Sequence, residues 1–288
     1  MIYSCGAMAK LSGQRYGKER VRVLKILRDG ARHTIREIEV SALLSGEFES
    51  SYTAGDNSKV VLTDTIKNTV NVLSKQHLRE EIEPFAVLVA EHFVRRYEQV
   101  KKATVEVSLH RWRRMEIEGK PHSHTFEAGD DARQFVRAHC TAEGCEIDCG
   151  ISDLVILKST GSGFENYPKD EFTTLPETPD RILATSLSGT WHFARAPKNY
   201  AAANEQILAA MLKVFAENFS PSAQTTVFQM AEAALATCAE ISRIDLSMPN
   251  KHYIPINLTP FGLENANEVF LPTEEPFGLI EASVSRDD

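Results

Sequence analysis

With 288 residues, 42% of them hydrophobic and 25% charged, the chain is long enough for one large domain or two of common size, each with its own core. A formal charge of −8 argues against nucleic acid, since even Arg111-Trp112-Arg113-Arg114 is followed by Glu116 and Glu118, and a small molecule or a protein is the expected partner. Phe85-Ala86-Val87-Leu88-Val89-Ala90 is too short to span a bilayer, the N-terminus lacks the basic start and apolar core of a signal peptide, and the odd count of five cysteines points to reduced thiols in the cytoplasm.

In chain order, Val21 and Val23 alternate with Arg20 and Arg22, and Ile38, Val40, Ala42 and Leu44 alternate with Glu39, Ser41 and Leu43. Period two of this kind predicts two strands, with Asp29-Gly30 as the turn between them. The run Val60-Val61-Leu62 reads as a strand handing over to a helix at Thr63-Asp64-Thr65-Ile66-Lys67-Asn68-Thr69, with Thr63 or Asp64 as cap and Lys67 on the solvated face. The first amides of such a helix lack backbone partners and can hold an anion or an acceptor-rich ring. Ile66, Val70 and Leu73 then recur at helical spacing, and Pro84 opens a second helix striped by Phe85, Val89, Phe93 and Tyr97. Val105, Val107 and Leu109 return to period two, His122 and His124 fall in a turn after Gly119-Lys120-Pro121, and a further strand is expected around 135–138. A first unit closes there, spanning 12–150.

Residues 151–288 repeat the order. Leu154-Val155-Ile156-Leu157 and Ile182-Leu183-Ala184-Thr185 read as strands, followed by helices striped by Ile207, Met211, Val214 and Phe215 and by Val227, Ala231, Ala234 and Cys238. Two strands near 252–258 and 279–285 end the chain. The predicted class is α+β, an antiparallel sheet with two helices on one face, written ββααββ twice. Such sheets stay open at their edges, and several copies can close a barrel by assembling.

Imidazoles and thiolates at His139, Cys140, Cys145 and Cys149, with His122 and His124 upstream, are dense enough to suggest zinc. Their spacing lacks the paired Cys-x-x-Cys of a zinc ribbon, and alternating strand positions point to opposite faces, so no metal is expected. There is no Gly-x-Ser-x-Gly elbow, and Gly161-Ser162-Gly163 carries neither the Gly-Lys-Ser/Thr of a P-loop nor the third glycine of a dinucleotide fingerprint.

What remains is a scattered polar constellation: Tyr16-Gly17-Lys18, the Thr63 motif, Phe164, Arg181, Gln224 and Pro249-Asn250-Lys251-His252-Tyr253. Together with Tyr52-Thr53-Ala54-Gly55-Asp56-Asn57, Val155-Ile156-Leu157-Lys158-Ser159-Thr160, Thr173-Thr174-Leu175 and Asp180-Arg181-Ile182-Leu183-Ala184-Thr185, these segments occur in an order that resembles the urate oxidase family of the tunnelling fold across essentially the full length. The resemblance implies two tandem ββααββ units, a homotetramer around a tunnel with active sites between subunits, and oxidation of urate by O2 to 5-hydroxyisourate and hydrogen peroxide without cofactor. It implies that Arg181 and Gln224 grip the purine edge, that Phe164 stacks on the ring, and that the amides of Asp64 and Ala223 add further contacts. Lys18, Thr63 and His252 match a proton-relay triad, and Thr63 with Asn250 would hold oxygen and then the attacking water. Ala223 stands where the family often has a larger aliphatic, implying a roomier pocket floor, and the His139, Cys140, Cys145 and Cys149 cluster lies outside the family pattern. The competing readings are another tunnelling-fold purine or pterin enzyme, marked by metal ligands or a nicotinamide partner, and a non-catalytic purine-binding protein that needs only Phe164, Arg181 and Gln224.

Overall fold

The computed structural model of the protein describes residues 9–129 and 132–286. It divides into two compact units. The first holds the described residues up to Leu109 with Ile117–Thr125 and Val136–Ile147; the second holds His110–Glu116, Phe126–Phe135 and the chain from Asp148 onward.

The first unit opens with β1 (Tyr16–Asp29) and β2 (Arg32–Gly46), an antiparallel hairpin whose turn places Gly30 at φ 54°, a conformation a glycine adopts without steric cost. Then come α1 (Glu49–Thr53), α2 (Thr63–His77), α3 (Glu83–Arg96) and β3 (Val100–His110); along the chain follow β4 (Trp112–Ile117), which belongs to the second unit except for Ile117, and β5 (Lys120–Ala128) and β6 (Arg133–Cys140), which belong mostly to the first. Its strand order is β1-β2-β3-β6, while β4 and β5 pair as a separate two-stranded ribbon. Most residues forecast by period sink into one core, Ile38, Val40, Ala42 and Leu44 from β2, Ile66 and Val70 from α2, Phe85, Val89 and Phe93 from α3, Val105 and Val107 from β3, while Val23, Tyr97 and Leu109 are half-buried. Each such side chain contributes about 1.5–3 kcal/mol of burial, which is what lays both helices on one sheet face. Lys25 Nζ ends α2 by donating to the carbonyls of Ser74, Lys75 and Leu78 at 2.9, 2.9 and 2.7 Å, satisfying acceptors that the helix leaves open.

The second unit runs β7 (Cys145–Lys158, its first residues belonging to the first unit), β8 (Leu183–Phe193), α4 (Tyr200–Glu217), α5 (Ala223–Thr237), β9 (Ile241–Pro255) and β10 (Phe270–Ser285), in the order β7-β8-β9-β10. A short 3-10 turn, Thr259–Phe261, lies between the last two strands. Trp191, Ile207, Met211, Val227, Ala231, Ile244 and Met248 form its core, and the indole N–H of Trp191 donates to Asn204 Oδ1 at 2.8 Å. Arg286 repeats the role of Lys25, donating to the carbonyls of Leu235, Cys238 and Ile241 at the end of α5. The duplication extends to fine detail. Arg20 in β1 and Asp153 in β7 both adopt positive φ, 58° and 59°, and the N–H of each donates to a serine on the next strand, Ser41 Oγ at 3.3 Å and Ser188 Oγ at 3.2 Å.

Several sequence readings are corrected. Val60-Val61-Leu62 is irregular chain, because Val61 gives its N–H to Tyr16 Oη instead of to a neighbouring strand. The cap of α2 is Leu62, one residue earlier than expected, and it supplies no side-chain bond. His122 and His124 lie on β5, the turn falling at Glu118 and Gly119, both with positive φ. β9 and β10 start well before 252 and 279. Cys140 and Cys145 form a disulfide across the β6–β7 turn, where Thr141 N–H meets Gly144 O at 2.9 Å, so the expectation of reduced thiols fails for this pair. Cys149 and Cys238 are buried and carry no disulfide, and Cys5 lies outside the described residues. Among the described residues no group of three or more His, Cys, Asp or Glu is placed to hold a metal, and no helix is long and apolar enough to cross a membrane.

Candidate active site

The first unit carries Lys18, Thr63 and Asp64. Gly17 lets β1 approach β2 closely, since a Cβ there would sit 1.9 Å from Ala42 O. Just beyond, the register shifts between Lys18 and Val21 by a bulge containing Arg20, which sets Lys18 at the end of the regular pairing. Tyr16 secures the neighbouring segment: its hydroxyl accepts the Val61 N–H at 2.7 Å and its ring stands edge-on to Phe48 at 4.8 Å. Burial raises the phenol pKa, so the hydroxyl stays neutral. This contact ties the approach to α2 onto the start of β1, two residues from Lys18.

Thr63 and Asp64 are the first two residues of α2, and both are exposed. The Asp64 carboxylate does not cap the helix; it turns to Lys67 and to Asn68 Nδ2, the latter at 2.9 Å. The Lys67 hydrogen bond is the main cause of its lowered pKa, and the Lys18 charge adds to the effect, which places the Lys18 field at this helix start. With no side-chain cap from Leu62, the first amides of α2 face outward at the positive end of the helix dipole.

The second unit carries Phe164 and Arg181 on loops knitted by backbone bonds to each other and to the segment before α5, and the remaining candidates on α5 and β9. Gly163 N–H donates to Ser220 O at 2.8 Å and Ser220 N–H to Gly161 O at 2.9 Å, joining the loop after β7 to the residue three before α5. Arg181 N–H donates to Ser162 O at 2.6 Å, while Phe164 and Thr178 exchange both backbone bonds at 2.8 and 3.1 Å. Asp180 tightens the same corner by accepting from Thr160 Oγ1 at 2.7 Å and Gly161 N–H at 2.8 Å, and the Thr160 bond leads the causes that hold its carboxyl below the usual range. Gly163 has no room for a side chain, a Cβ meeting Pro179 O at 3.0 Å. Phe164 and Arg181 are thereby fixed together, with the guanidinium carbon 5.0 Å from the ring centroid.

These two residues share a cavity of about 590 Å³ with Asn250 and His252. Asn250 lies where β9 pairs with Thr185 of β8 and Gly278 of β10, and the β9–β10 register slips between Thr273 and Gly278, opposite Lys251. Arg181 Nε is buried in this wall without a hydrogen-bond partner, and burial lowers the guanidinium pKa from its ordinary value while leaving it charged. An unmet donor on a cation beside an aromatic face suits a flat anion. Ala223 and Gln224 do not line the cavity. They begin α5, whose cap Ser222 accepts from Thr225 N–H at 3.1 Å and so leaves the amides of Ala223 and Gln224 uncapped; Ser220 links this helix start to the Phe164 loop. The structure thus groups the candidates in two sets, three in the first unit and six in the second. Tyr16 and Asp180 stand inside motifs the sequence already marked, but their positioning roles, and that of Ser220, show only in the fold.

Duplicated units of antiparallel sheet and paired helices, with an arginine beside an aromatic ring in an open cavity, define a tunnelling-fold protein. A family model described as Uricase matches residues 14–138 and 147–281. The Aspergillus flavus uricase is 39% identical, covering 97% of this chain and 98% of that protein, and the Oryctolagus cuniculus uricase is 37% identical, covering 94% and 93%. The crystal structure of uricase from Arthrobacter globiformis superposes with a TM-score of 0.92 at 37% identity, covering 97% of this chain and 96% of that one. The chain belongs to the uricase family. The stretch between the two matched segments, 139–146, contains His139 and the Cys140–Cys145 disulfide, while Cys149 falls inside the second segment.

Proposed function

We infer that this chain is a urate oxidase, an oxidoreductase using O2. The observation that carries the reading, beside family membership, is the buried, unpartnered Arg181 Nε next to Phe164 in a cavity that also holds Asn250 and His252. Urate is flat and anionic at neutral pH, so Phe164 takes its face, Arg181 with Gln224 its edge, and helix-start amides at Ala223 and Asp64 its remaining acceptors. Lys18, through Thr63 and with His252, removes a second proton. The dianion gives two electrons to O2, which leaves as hydrogen peroxide with two protons, and water adds to the oxidised ring to give 5-hydroxyisourate. Asn250 and Thr63 hold first O2 and then that water. Electron-rich urate dianion supplies the reductant itself, so the reaction runs without metal or organic cofactor.

The two sets of residues complete one another between copies of the chain in a homotetramer. Support comes from the exposure of Thr63 and Asp64 beside Leu62, which is 66% exposed, and from exposed apolar residues along β10, Leu271 and Leu279 among them. The test follows the ultraviolet absorbance of urate with purified protein in aerated buffer containing a chelator. Steady loss at an unchanged rate is expected. No loss sinks the oxidase reading, and inhibition by the chelator sinks the cofactor-free mechanism.

A further inference from the structure

Phe164 presents its ring to the cavity, and what fixes the plane of that ring is Tyr167. The two rings are stacked, centroids 4.9 Å apart at 18°. Tyr167 does not line the cavity, yet its hydroxyl donates to Leu175 O at 2.6 Å, and Leu175 is a cavity wall. The turn that folds residue 167 back onto residue 164 is itself braced. Asn166 adopts a left-handed φ of 61°, its N–H donates to Glu177 Oε1 at 3.0 Å, and Lys169 Nζ pairs with the same oxygen at 3.3 Å while standing 5.7 Å from the centre of the Tyr167 ring. Lys169 therefore stands near the Tyr167 ring, that ring is stacked on Phe164, and the Arg181 guanidinium carbon lies 5.0 Å from the Phe164 ring centre.

We propose that Tyr167 is a positioning residue for substrate stacking: it holds the Phe164 ring in the plane a purine needs and joins that ring to the Leu175 wall. The proposal rests on the urate oxidase reading. The physical reason is preorganisation. An aromatic side chain on the rim of an open cavity turns about two torsions, and a ligand that must freeze it loses affinity; a second ring stacked on it does the freezing in advance. The ring of Tyr167 carries this effect, while its hydroxyl anchors the loop. Ground state and transition state both stack on Phe164, so losing the brace weakens them alike and appears in KM with kcat retained.

The experiment compares Tyr167→Ala, Tyr167→Leu and Tyr167→Phe by steady-state kinetics and by calorimetric urate binding in oxygen-free buffer. Tyr167→Ala and Tyr167→Leu should raise KM and the anaerobic Kd together, about three- to tenfold, the range that freezing one side chain carries, with kcat within about twofold. Tyr167→Phe, which keeps the ring, should bind within about twofold of the parent. Tyr167→Leu keeps much of the apolar bulk and decides the matter if the alanine variant does not fold. Unchanged KM and Kd in the alanine or leucine variants, with only a lower Tm, would overturn the proposal, as would a phenylalanine variant as impaired as alanine. If the parent binds urate without consuming it, the oxidase reading fails while the Kd comparison still decides the role of Tyr167; if the parent does not bind urate, both fall.

Discussion

Replacing Arg181 by glutamine should separate binding from folding. In the free protein the guanidinium Nε is buried with no partner, and its central carbon stands 5.0 Å from the Phe164 ring centre. Bound urate would accept two charge-assisted bonds from the guanidinium fork, each worth about 1.5–3 kcal/mol, and a glutamine amide restores one of them in weaker, neutral form. The net loss is about 2–3 kcal/mol, a rise in KM of about 30- to 150-fold at 1.4 kcal/mol per decade. Stability should move the other way or not at all. Removing an unmet donor recovers about 1 kcal/mol for a half-buried group, against up to about 1 kcal/mol lost from the contact with Phe164. Tm of the ligand-free protein should therefore stay level or rise by up to about 4 °C. Steady-state kinetics in aerated urate, paired with thermal melts in its absence, measure both. An unchanged KM, or a fall of several degrees in Tm with kcat collapsing at constant KM, would refute the assignment of Arg181 as the substrate's anchor.

Lys18→Met should lower kcat by about 100-fold or more while leaving anaerobic urate binding within about threefold, as expected of a proton acceptor; a variant that loses binding and keeps kcat contradicts the relay. Gly17→Ala should destabilise by about 1–3 kcal/mol or more in urea, because its methyl meets Ala42 O at 1.9 Å, and should reduce activity by prising β1 from β2 beside Lys18; a wild-type midpoint would remove the close-approach argument. Asp245 supplies a pH test. Burial acts to raise its pKa, but hydrogen bonds from Arg243, Ser283 and His192 outweigh burial and hold it at about 2, so its contribution is present above the ordinary carboxylate pKa and lost as pH falls toward about 2. The carboxylate is partly solvated, so screening leaves about 1 kcal/mol. Asp245→Asn should accordingly cost about that much at pH 5 and about a third of it at pH 2.5, measured by urea unfolding, and an equal loss at both values would show that charge is not the cause.

Core periodicity was largely readable in the sequence. Val40 and Ala42, Ile66 and Val70, Phe85 and Val89 announce their elements because burial on one face forces the spacing of apolar residues to follow the backbone period. The β4–β5 ribbon was missed since it buries little: its residues are mostly exposed, so no alternation marks it. The Val60-Val61-Leu62 strand was misread for the converse reason. Val61 is buried, but its N–H satisfies a tyrosine hydroxyl forty-five residues away, which no local pattern signals. The disulfide likewise depends on a turn that brings the ends of β6 and β7 together.

By itself, then, the amino-acid order determined the class of fold, its duplication and the chemical kinds of residue available for a planar anion, because these depend on local period and on side-chain identity. Tertiary structure decided how they are held. Arg181 is left with an unmet donor because its backbone is pinned to Ser162, Phe164 is flattened by Tyr167 and stapled to Thr178, and Asp180 is spent on Thr160 and Gly161 in place of neutralising the arginine next to it. Adjacent residues in sequence, Asp180 and Arg181, were sent to opposite tasks by loops that meet only when the chain has folded, and a charge's availability depends on what surrounds it in space.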